Sequence, residues 1–378
     1  MKHYDAIVVG LGAMGSATLC HLALRGARVL GLEQFAQGHT LGSSHGDSRI
    51  IRETYFEHPL YVPLVQRAHE LWRDLEERSG ARLMTITGGL MIGPRDGMVV
   101  TGTLRSVAEH NLPHEVMTAE EIRARFPEFR IKQDLTAVFD PRAGILDPEA
   151  CNRAHIDVAR TAGAEVRFNE RATDWIADGD GVRVSTVNGT YTADRLALTA
   201  GPWTSEALKG LDLPLIVERQ TLFWFDAAES TSYDSSRFPI YAYEFKPGTI
   251  CYGFPRLSRG VKASVMHDGV LSNHPSQIDR EIHASEVDPL RAALRPILPE
   301  LAEAAVRDSA VCLFTNTPDH DFIIDFHPGF PQVLISSPCS GHGFKFASAI
   351  GEIQADLLTT GNSKFDLSPF KIGRFAQQ

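Results

Sequence analysis

The feature that most constrains this chain is a glycine-rich turn near its start. Residues 4–33 read as a strand, a turn, a helix and a second strand, and the first strand is apolar and β-branched over residues 5–9. Gly10, Gly12 and Gly15 follow it in the G-x-G-x-x-G spacing. The first glycine of such a turn permits the bend, the second admits a pyrophosphate, and the third lets the helix pack against the strand.

An acidic residue follows at the distance that a dinucleotide site requires. A helix is predicted from Met14 to Gly26, and the unpaired N–H groups of its first turn favour an anion. The next predicted strand, residues 28–32, ends at Glu33, 18 residues after Gly15. A carboxylate there accepts hydrogen bonds from ribose hydroxyls and repels a 2′-phosphate. The sequence therefore predicts a dinucleotide site rather than a merely structural turn.

The nucleotide domain is predicted to draw on three parts of the chain. A buried strand ends at Gly201, and the turn of residues 340–343 opens a long helix near the C-terminus. Between them, strands with alternating aromatic residues predict an antiparallel sheet. The predicted fold class is α/β with α+β character. A Rossmann-like domain of residues 1–85, 145–212 and 311–378 is interrupted by a mainly antiparallel β-sheet substrate domain of residues 86–144 and 213–310.

Composition and charge exclude several classes of partner. The 378 residues are 43% hydrophobic with a formal net charge of −10, which argues against nucleic-acid binding. We see neither a signal peptide nor an apolar run that could span a bilayer, so we expect no membrane. Five scattered cysteines without a C-x-x-C motif indicate reduced thiols and a cytoplasmic location. The histidines and aspartates of residues 319–327 surround predicted turns, and we predict no metal site.

A polar loop after Glu33 holds cations near a buried region. Within residues 38–53, Arg49 and Arg52 flank the apolar pair of residues 50 and 51. Loops of this composition usually carry function. FAD is favoured over NAD because the nucleotide domain closes at the C-terminus, whereas a nicotinamide enzyme usually keeps it in one block.

These motifs together resemble one known family. The opening motif, HGDSRIIRETY (45–55), YGFP (252–255), the strand around Cys312, DFIID (321–325) and SGHGFKFAS (340–348) resemble the monomeric sarcosine oxidase and N-methyltryptophan oxidase family over nearly the whole chain. The resemblance implies an FAD enzyme that oxidises a secondary N-methyl amino acid. Such an enzyme releases formaldehyde and the demethylated amino acid, and it reduces O2 to H2O2. The resemblance also implies a monomer.

The resemblance assigns the cofactor contacts. Cys312 matches the cysteine that forms a thioether to the flavin, whereas an isolated cysteine would be read as a small core residue. The cofactor-binding residues expected from the motif and the resemblance are Gly10, Gly12, Met14, Gly15, Glu33, Gln34, Ser43, Ser44, His45, Arg49, Gly201, Cys312, Gly341, Gly343, Phe344 and Lys345.

The resemblance likewise implies roles at the reacting centre. Arg49 and Lys262 match cations near the flavin ring, where positive charge favours reduction. Arg52 and Lys345 match the pair that holds the substrate carboxylate, the arginine by a bidentate fork and the lysine as a point charge. The predicted catalytic residues are Lys262, Arg49, His267 and Tyr252, and the predicted substrate-binding residues are Arg52, Lys345 and Tyr252.

The sequence departs from the family pattern at the substrate site. Lys262 and His267 are five positions apart, one more than in relatives, which indicates a bulged strand. Phe314 takes the place of a tyrosine, and Cys251 precedes Tyr252 where an aromatic residue can occur. We therefore expect a less polar pocket in which sarcosine need not be the preferred substrate.

Several other functions stay open at this point. The first alternative is another amine-oxidising flavoenzyme, either a cyclic imino acid oxidase for pipecolate or proline or a dehydrogenase that passes electrons to a carrier. A flavin-binding protein without turnover is disfavoured because it has no need of four buried cations. An NAD-dependent dehydrogenase is the remaining alternative.

Overall fold

The protein is described by a computed structural model that covers residues 2–208, 210–227 and 233–375. The α-helices of this part are α1 Ala13–Leu24, α2 Val62–Ser79, α3 Met98–His110, α4 Ala119–Arg125, α5 Pro148–Thr161, α6 Thr204–Ala207, α7 Asp288–Leu294, α8 Pro299–Glu303 and α9 Ala347–Thr360.

The strands fall into three sheets. They are β1 His3–Val9, β2 Val29–Leu32, β3 Arg49–Ile51, β4 Met84–Ile86, β5 Gly89–Pro94, β6 Glu115–Thr118, β7 Leu135–Asp140, β8 Gly144–Leu146, β9 Glu165–Arg167, β10 Ala172–Asp178, β11 Gly181–Thr186, β12 Thr190–Leu198, β13 Ile216–Asp226, β14 Ile240–Lys246, β15 Thr249–Leu257, β16 Gly260–Val265, β17 Val270–Ser272, β18 Ala305–Asn316, β19 Ile323–His327 and β20 Phe330–Ser337.

The predicted strand–turn–helix–strand unit is present as β1, α1 and β2. Gly10 has φ +89°, a conformation that favours glycine, at the end of β1. A Cβ atom at Gly15 would lie 1.8 Å from the carbonyl oxygen of Gly10, so only glycine allows α1 to start this close to the strand. The glycine spacing thus lets α1 pack close to the C-terminal end of β1, as predicted.

The first sheet has a parallel centre that distant segments complete. Its order is β10-β11-β12-β1-β2-β9, and β20 also pairs with β12. β1 is parallel to both β12 and β2, and β12 is parallel to β20. α1 packs against α9 from the C-terminal part of the chain, and a Cβ atom at Gly351 would lie 2.6 Å from Ala17. The early, middle and late segments therefore meet around the glycine turn, as the sequence indicated.

The second sheet is mainly antiparallel. Its order is β17-β13-β16-β15-β14-β5-β7-β6, with β18 paired to β13. The exception is the parallel pair of β14 and β5. Cys312 in β18 lies opposite Gln220 in β13, so the strand that carries the cysteine belongs to this sheet. The proposed division of the chain into two domains stays a prediction.

Side-chain caps define the starts of two helices. Thr118 and Glu121 form a capping box at the start of α4, and the Asp147 side chain accepts a hydrogen bond from the N–H group of Ala150 at the start of α5. α7 begins at Asp288, directly after a 3-10 turn at residues 284–287.

A buried core supports both large sheets. One cluster joins α1, α2, α5 and α9 to the parallel sheet, and another fills the space between the antiparallel sheet and α7 and α8. Among the residues described, no helix combines the length and the apolar character needed to cross a bilayer. The same residues contain no group of three or more His, Cys, Asp or Glu side chains that could hold a metal ion.

Candidate active site

A cavity of about 670 Å³ runs from the glycine turn to the antiparallel sheet. It opens above Gly12, where the nearest atom to an added Cβ would be the Ser44 Oγ atom at 3.4 Å. The predicted site residues that line it are Gly10, Gly12, Met14, Glu33, Gln34, Ser43, Ser44, Arg49, Arg52, Gly201, Tyr252, Lys262, Cys312, Gly341, Gly343, Phe344 and Lys345. The fold therefore brings together residues from the whole length of the chain.

The nucleotide end of the cavity is shaped by backbone groups and one carboxylate. Glu33 is buried, and its two carboxylate oxygens accept hydrogen bonds from the N–H groups of Leu11 and Phe35 at 2.8 and 3.0 Å. These bonds hold the carboxylate at the edge where it lines the cavity. Gly12 at the N-cap of α1 has no side chain, and the Ala13 N–H group donates to Ser44 Oγ at 3.0 Å. The N-terminus of a helix favours an anion because the N–H groups of its first turn lack partners within the helix.

Lys262 and Glu149 both bind the loop that precedes β3. The Lys262 Nζ atom donates to the carbonyl oxygens of Gly46 and Ser48 at 2.7 and 2.8 Å, and to Ser48 Oγ at 3.1 Å. The Glu149 carboxylate accepts from the N–H group of Gly46 at 2.7 Å. Gly46 and Asp47 both have positive φ, so this loop keeps its shape through these two partners.

Two cations lie close together beneath the middle of the cavity. Burial, followed by the charge of Arg49, holds the pKa of Lys262 well below its ordinary value. Arg49 donates to the carbonyl oxygens of Ser48 and Ser43 at 2.8 Å each. Lys262 is only 2% exposed, so an anionic group in the cavity would meet positive charge that water screens little.

A second pair of cations, Arg52 and Lys345, also lines the cavity. The Arg52 guanidinium donates to the Thr54 carbonyl oxygen at 2.9 Å and to the Glu57 carboxylate at 2.5 Å. The Lys345 Nζ atom donates to the His342 carbonyl oxygen at 2.6 Å. Burial, followed by the charge of Arg52, lowers the pKa of Lys345 to about 7. An incoming carboxylate would therefore find two desolvated cations side by side.

Glu57 and His342 complete this part of the site, although sequence reasoning did not assign either to it. Burial works against the charged form of Glu57, but Arg52, His342 and Lys345 lower its pKa overall. The His342 Nδ1 atom lies 2.6 Å from the Tyr55 hydroxyl, and burial lowers the pKa of His342 to about 4. His342 is therefore neutral near pH 7, and it lines the cavity.

Three predicted site residues, Gly15, His45 and His267, lie outside the cavity lining. Gly15 faces the backbone of Gly10, in agreement with its predicted packing role. His45 is buried, and burial together with Arg49 and Lys262 lowers its pKa to about 3.

His267 is the prediction that the geometry corrects. β16 ends at Val265, and His267 follows in a turn with φ +57°. Its Nδ1 atom lies 2.9 Å from the Glu218 carboxylate, and its ring packs against Phe314. Because Glu218 holds the imidazole on this side, the neighbouring Met266 lines the cavity instead. The predicted contact of His267 with substrate therefore has no geometric support.

The residues that were missed carry weak signals in the sequence. Glu57 and Glu149 are single acidic residues, and only the folded chain shows that they meet Arg52 and the N–H group of Gly46. Met266 could have been found, because it lies four positions after Lys262, the spacing expected for a site residue.

Comparison with known proteins assigns the chain to a family. The profile of the family described as FAD dependent oxidoreductase matches residues 5–357. The chain belongs to this family. As a flavoprotein oxidoreductase, it shares 42% identity over 378 residues with a protein named monomeric sarcosine oxidase from Streptomyces avermitilis, covering 99% of this chain and 98% of the relative.

Other relatives of the oxidoreductase agree in length and fold. A protein named N-methyl-L-tryptophan oxidase from Citrobacter koseri is 34% identical over 375 residues and is matched over its whole length, with 99% of this chain covered. The solved structure of NikD, described as an unusual amino acid oxidase, has a TM-score of 0.84 at 27% identity and covers 98% of both chains. The predicted fold class and the predicted flavoenzyme class are confirmed.

The residues of this oxidoreductase fit FAD. A Cβ atom at Gly12 would meet only Ser44 Oγ, at 3.4 Å, and Glu33 lines the cavity directly after β2, where a ribose is expected. The cavity continues to Cys312, whose Sγ atom lies 3.5 Å from the Arg49 guanidinium. The cavity thus extends from the glycine-rich turn to the cations Arg49 and Lys262.

Proposed function

We propose that this oxidoreductase removes the methyl group of a secondary N-methyl amino acid. In the overall reaction the amine loses two electrons and two protons, water hydrolyses the resulting imine, and formaldehyde and the primary amino acid leave. O2 takes up the two electrons and two protons and becomes H2O2. FAD, when bound, supplies the hydride acceptor. The names of the Streptomyces and Citrobacter relatives support this substrate class.

The observation that carries the proposal is the buried pair of Arg52 and Lys345 in the cavity that begins at the dinucleotide turn. A guanidinium can bind a carboxylate with two parallel hydrogen bonds, and an adjacent ammonium adds charge. The pair would hold the amino acid by its carboxylate and leave the N-methyl group free to face the reacting centre. Fixing the substrate in this way supplies the orientation that the reaction needs.

The remaining residues would act on charge and on the protonation state. Arg49 and Lys262 supply fixed positive charge beside Cys312, the proposed point of covalent attachment of FAD. The substrate nitrogen must be unprotonated when hydride leaves, since its lone pair stabilises the developing positive charge. The guanidinium groups of Arg49 and Arg52, together with the protonated fraction of the two lysines, oppose a further positive charge there and so favour the neutral amine. We propose O2 as the electron acceptor, a monomer as the active species and the cytoplasm as its location.

The proposal is tested by a substrate panel assayed for two products. We expect N-methyl-L-alanine, N-methyl-L-tryptophan or sarcosine to yield equal amounts of H2O2 and formaldehyde. Pipecolate, a cyclic substrate, would yield H2O2 alone if the enzyme were a cyclic imino acid oxidase. Formaldehyde that forms without H2O2, and only when an artificial electron acceptor is added, would indicate a dehydrogenase that needs a carrier. Absence of both products from every N-methyl substrate would contradict the proposed function.

A further inference from the structure

Part of the cavity wall is apolar. A Cβ atom at Gly341 would lie 2.8 Å from Phe314 and 3.1 Å from the Met266 Cε atom, so these two side chains meet over the turn that leads to Lys345. Both of them line the cavity. Lys345, the proposed carboxylate-binding lysine, therefore lies only four positions after Gly341, which both apolar side chains contact.

The apolar surface continues around the same end of the cavity. Ile50, Ala242 and Ile250 line it, and they belong to one apolar cluster together with Met266. Phe56 also lines the cavity, and the Arg52 guanidinium lies 4.0 Å from the centre of its ring. A ligand held by its carboxylate on Arg52 therefore has hydrocarbon side chains beside it.

A buried carboxylate determines which side chain faces the cavity at this point. Glu218 is 2% exposed and accepts from His267 Nδ1 at 2.9 Å and from the N–H group of Gly269 at 3.1 Å. Asn316 Nδ2 donates to the same carboxylate at 2.5 Å. With His267 turned toward Glu218 in a left-handed conformation, the preceding Met266 takes the position at the cavity wall.

We infer that the substrate of the proposed reaction carries an apolar side chain on its α-carbon, and that Met266 and Phe314 select for it. The inference rests on the proposed function and specifies the substrate class. Sarcosine has only hydrogen atoms at that carbon and would leave the wall uncovered. An aliphatic side chain would remove apolar surface of both partners from water, which favours binding in proportion to the area covered.

The first test compares kcat/KM for sarcosine, N-methyl-L-alanine and N-methyl-L-leucine with the holoenzyme. We expect the value to rise along this series, and N-methyl-L-leucine to exceed sarcosine by at least about 10-fold, the lower end of what one well-placed methylene contributes. A value for sarcosine that equals or exceeds the value for N-methyl-L-leucine overturns the inference.

Two variants place polar groups on the wall. Met266→His and Phe314→Tyr are each expected to lower the ratio of kcat/KM for N-methyl-L-leucine over sarcosine by about 10-fold, because a polar atom must then lose water without a partner. Met98→His is the matched control, since Met98 is 42% exposed at the start of α3 and should leave the ratio unchanged. An unchanged ratio in both wall variants assigns the selectivity elsewhere and overturns the inference.

A binding measurement separates the inference from the proposed function. Calorimetry with the holoenzyme compares 4-methylpentanoate, which has the carbon skeleton of leucine without its nitrogen, with acetate. We expect 4-methylpentanoate to bind at least about 10-fold more tightly. If it does and no N-methyl amino acid is demethylated, the proposed function fails while the apolar wall stands. If N-methyl amino acids are demethylated and acetate binds as tightly, the inference fails alone.

Discussion

Arg49 donates a hydrogen bond of 3.5 Å from Nη2 to the Sγ atom of Cys312, a residue 263 positions further along the chain. The same nitrogen donates to the Ser43 carbonyl oxygen, toward which the Cys312 thiol also points at 3.8 Å. The thiol of Cys312, which belongs to β18, therefore contacts the loop before β3. Both segments line the cavity. This arrangement makes Cys312 the candidate for covalent attachment of FAD.

Cys312→Ala should yield a protein whose yellow pigment is released by acid precipitation, because no sulfur remains to form the thioether. Cys339→Ala is the matched control, since Cys339 also lines the cavity and burial raises the pKa of its thiol to about 11. We expect this control to keep its pigment in the pellet. Release of pigment from the Cys339 variant and retention by the Cys312 variant would reverse the assignment.

Arg52→Ala should weaken the binding of carboxylate ligands by about 2–5 kcal/mol, the cost of removing one partner of a buried charge pair. Glu57, which pairs with Arg52, would then repel the incoming carboxylate and so add to the loss of affinity. Calorimetric titration of the holoenzyme with 4-methylpentanoate measures the change. Arg105→Ala, at an exposed arginine that pairs with Glu109, should have no effect. Equal affinity in wild type and the Arg52 variant would remove Arg52 from the binding site.

Carboxylate binding should weaken as the pH rises above about 7. In the free enzyme the pKa of Lys345 is lowered to about 7, so the ammonium is charged below this pH and neutral above it. A bound carboxylate favours the charged form and raises this pKa, so the dissociation constant should stay level below pH 7 and then increase by up to about 10-fold per pH unit.

Titrations of a carboxylate ligand between pH 6 and pH 9 measure the effect of Lys345. Lys345→Met should remove most of the pH dependence, whereas Lys364→Met, at an exposed lysine paired with Glu352, should preserve it. A pH dependence that survives in the Lys345 variant would assign the titration to another group.

Lys262→Met should slow the reaction with O2 by roughly 100-fold, the scale for losing one preorganised charge, and should slow reduction by substrate much less. The reason is that Lys262 provides buried positive charge where negative charge develops on oxygen. Stopped-flow absorbance measures the two half-reactions separately, and Lys246→Met, at an exposed lysine, is the control. Equal slowing of both half-reactions would mean that Lys262 mainly supports the loop at residues 46–48.

Gly12→Ala should reduce FAD affinity by at least about 10-fold and leave the fold stable, because the second glycine of the turn admits the pyrophosphate. Its φ of −66° suits alanine, and the nearest atom to the new Cβ lies at 3.4 Å. The measurement uses a Cys312→Ala background, in which FAD exchanges freely, and compares FAD titrations with apoprotein melting temperatures.

Substitutions at two other glycines are the controls for Gly12→Ala. Gly15→Ala should prevent folding, since its Cβ would lie 1.8 Å from a carbonyl oxygen, and Gly373→Ala should change nothing, since no atom lies within 4 Å. If Gly12→Ala binds FAD as tightly as its parent, the turn does not contact the pyrophosphate.

The sequence by itself determined the glycine turn, the element order around it and the residue types of the site. These follow from local physics, because the spacing of Gly10 and Gly15 sets the distance between β1 and α1. The resemblance then assigned the substrate carboxylate to Arg52 and Lys345, because both residues match motif positions of the family.

Tertiary structure alone decided which neighbouring side chain faces the cavity and which acids hold the cations. Met266 rather than His267 lines the wall because Glu218, nearly fifty positions away in sequence, binds the imidazole and its turn. Glu57 is the carboxylate that pairs with the Arg52 guanidinium, and Glu149 binds the Gly46 loop. Such contacts depend on strand register and on buried hydrogen bonds between distant segments, which no local pattern encodes.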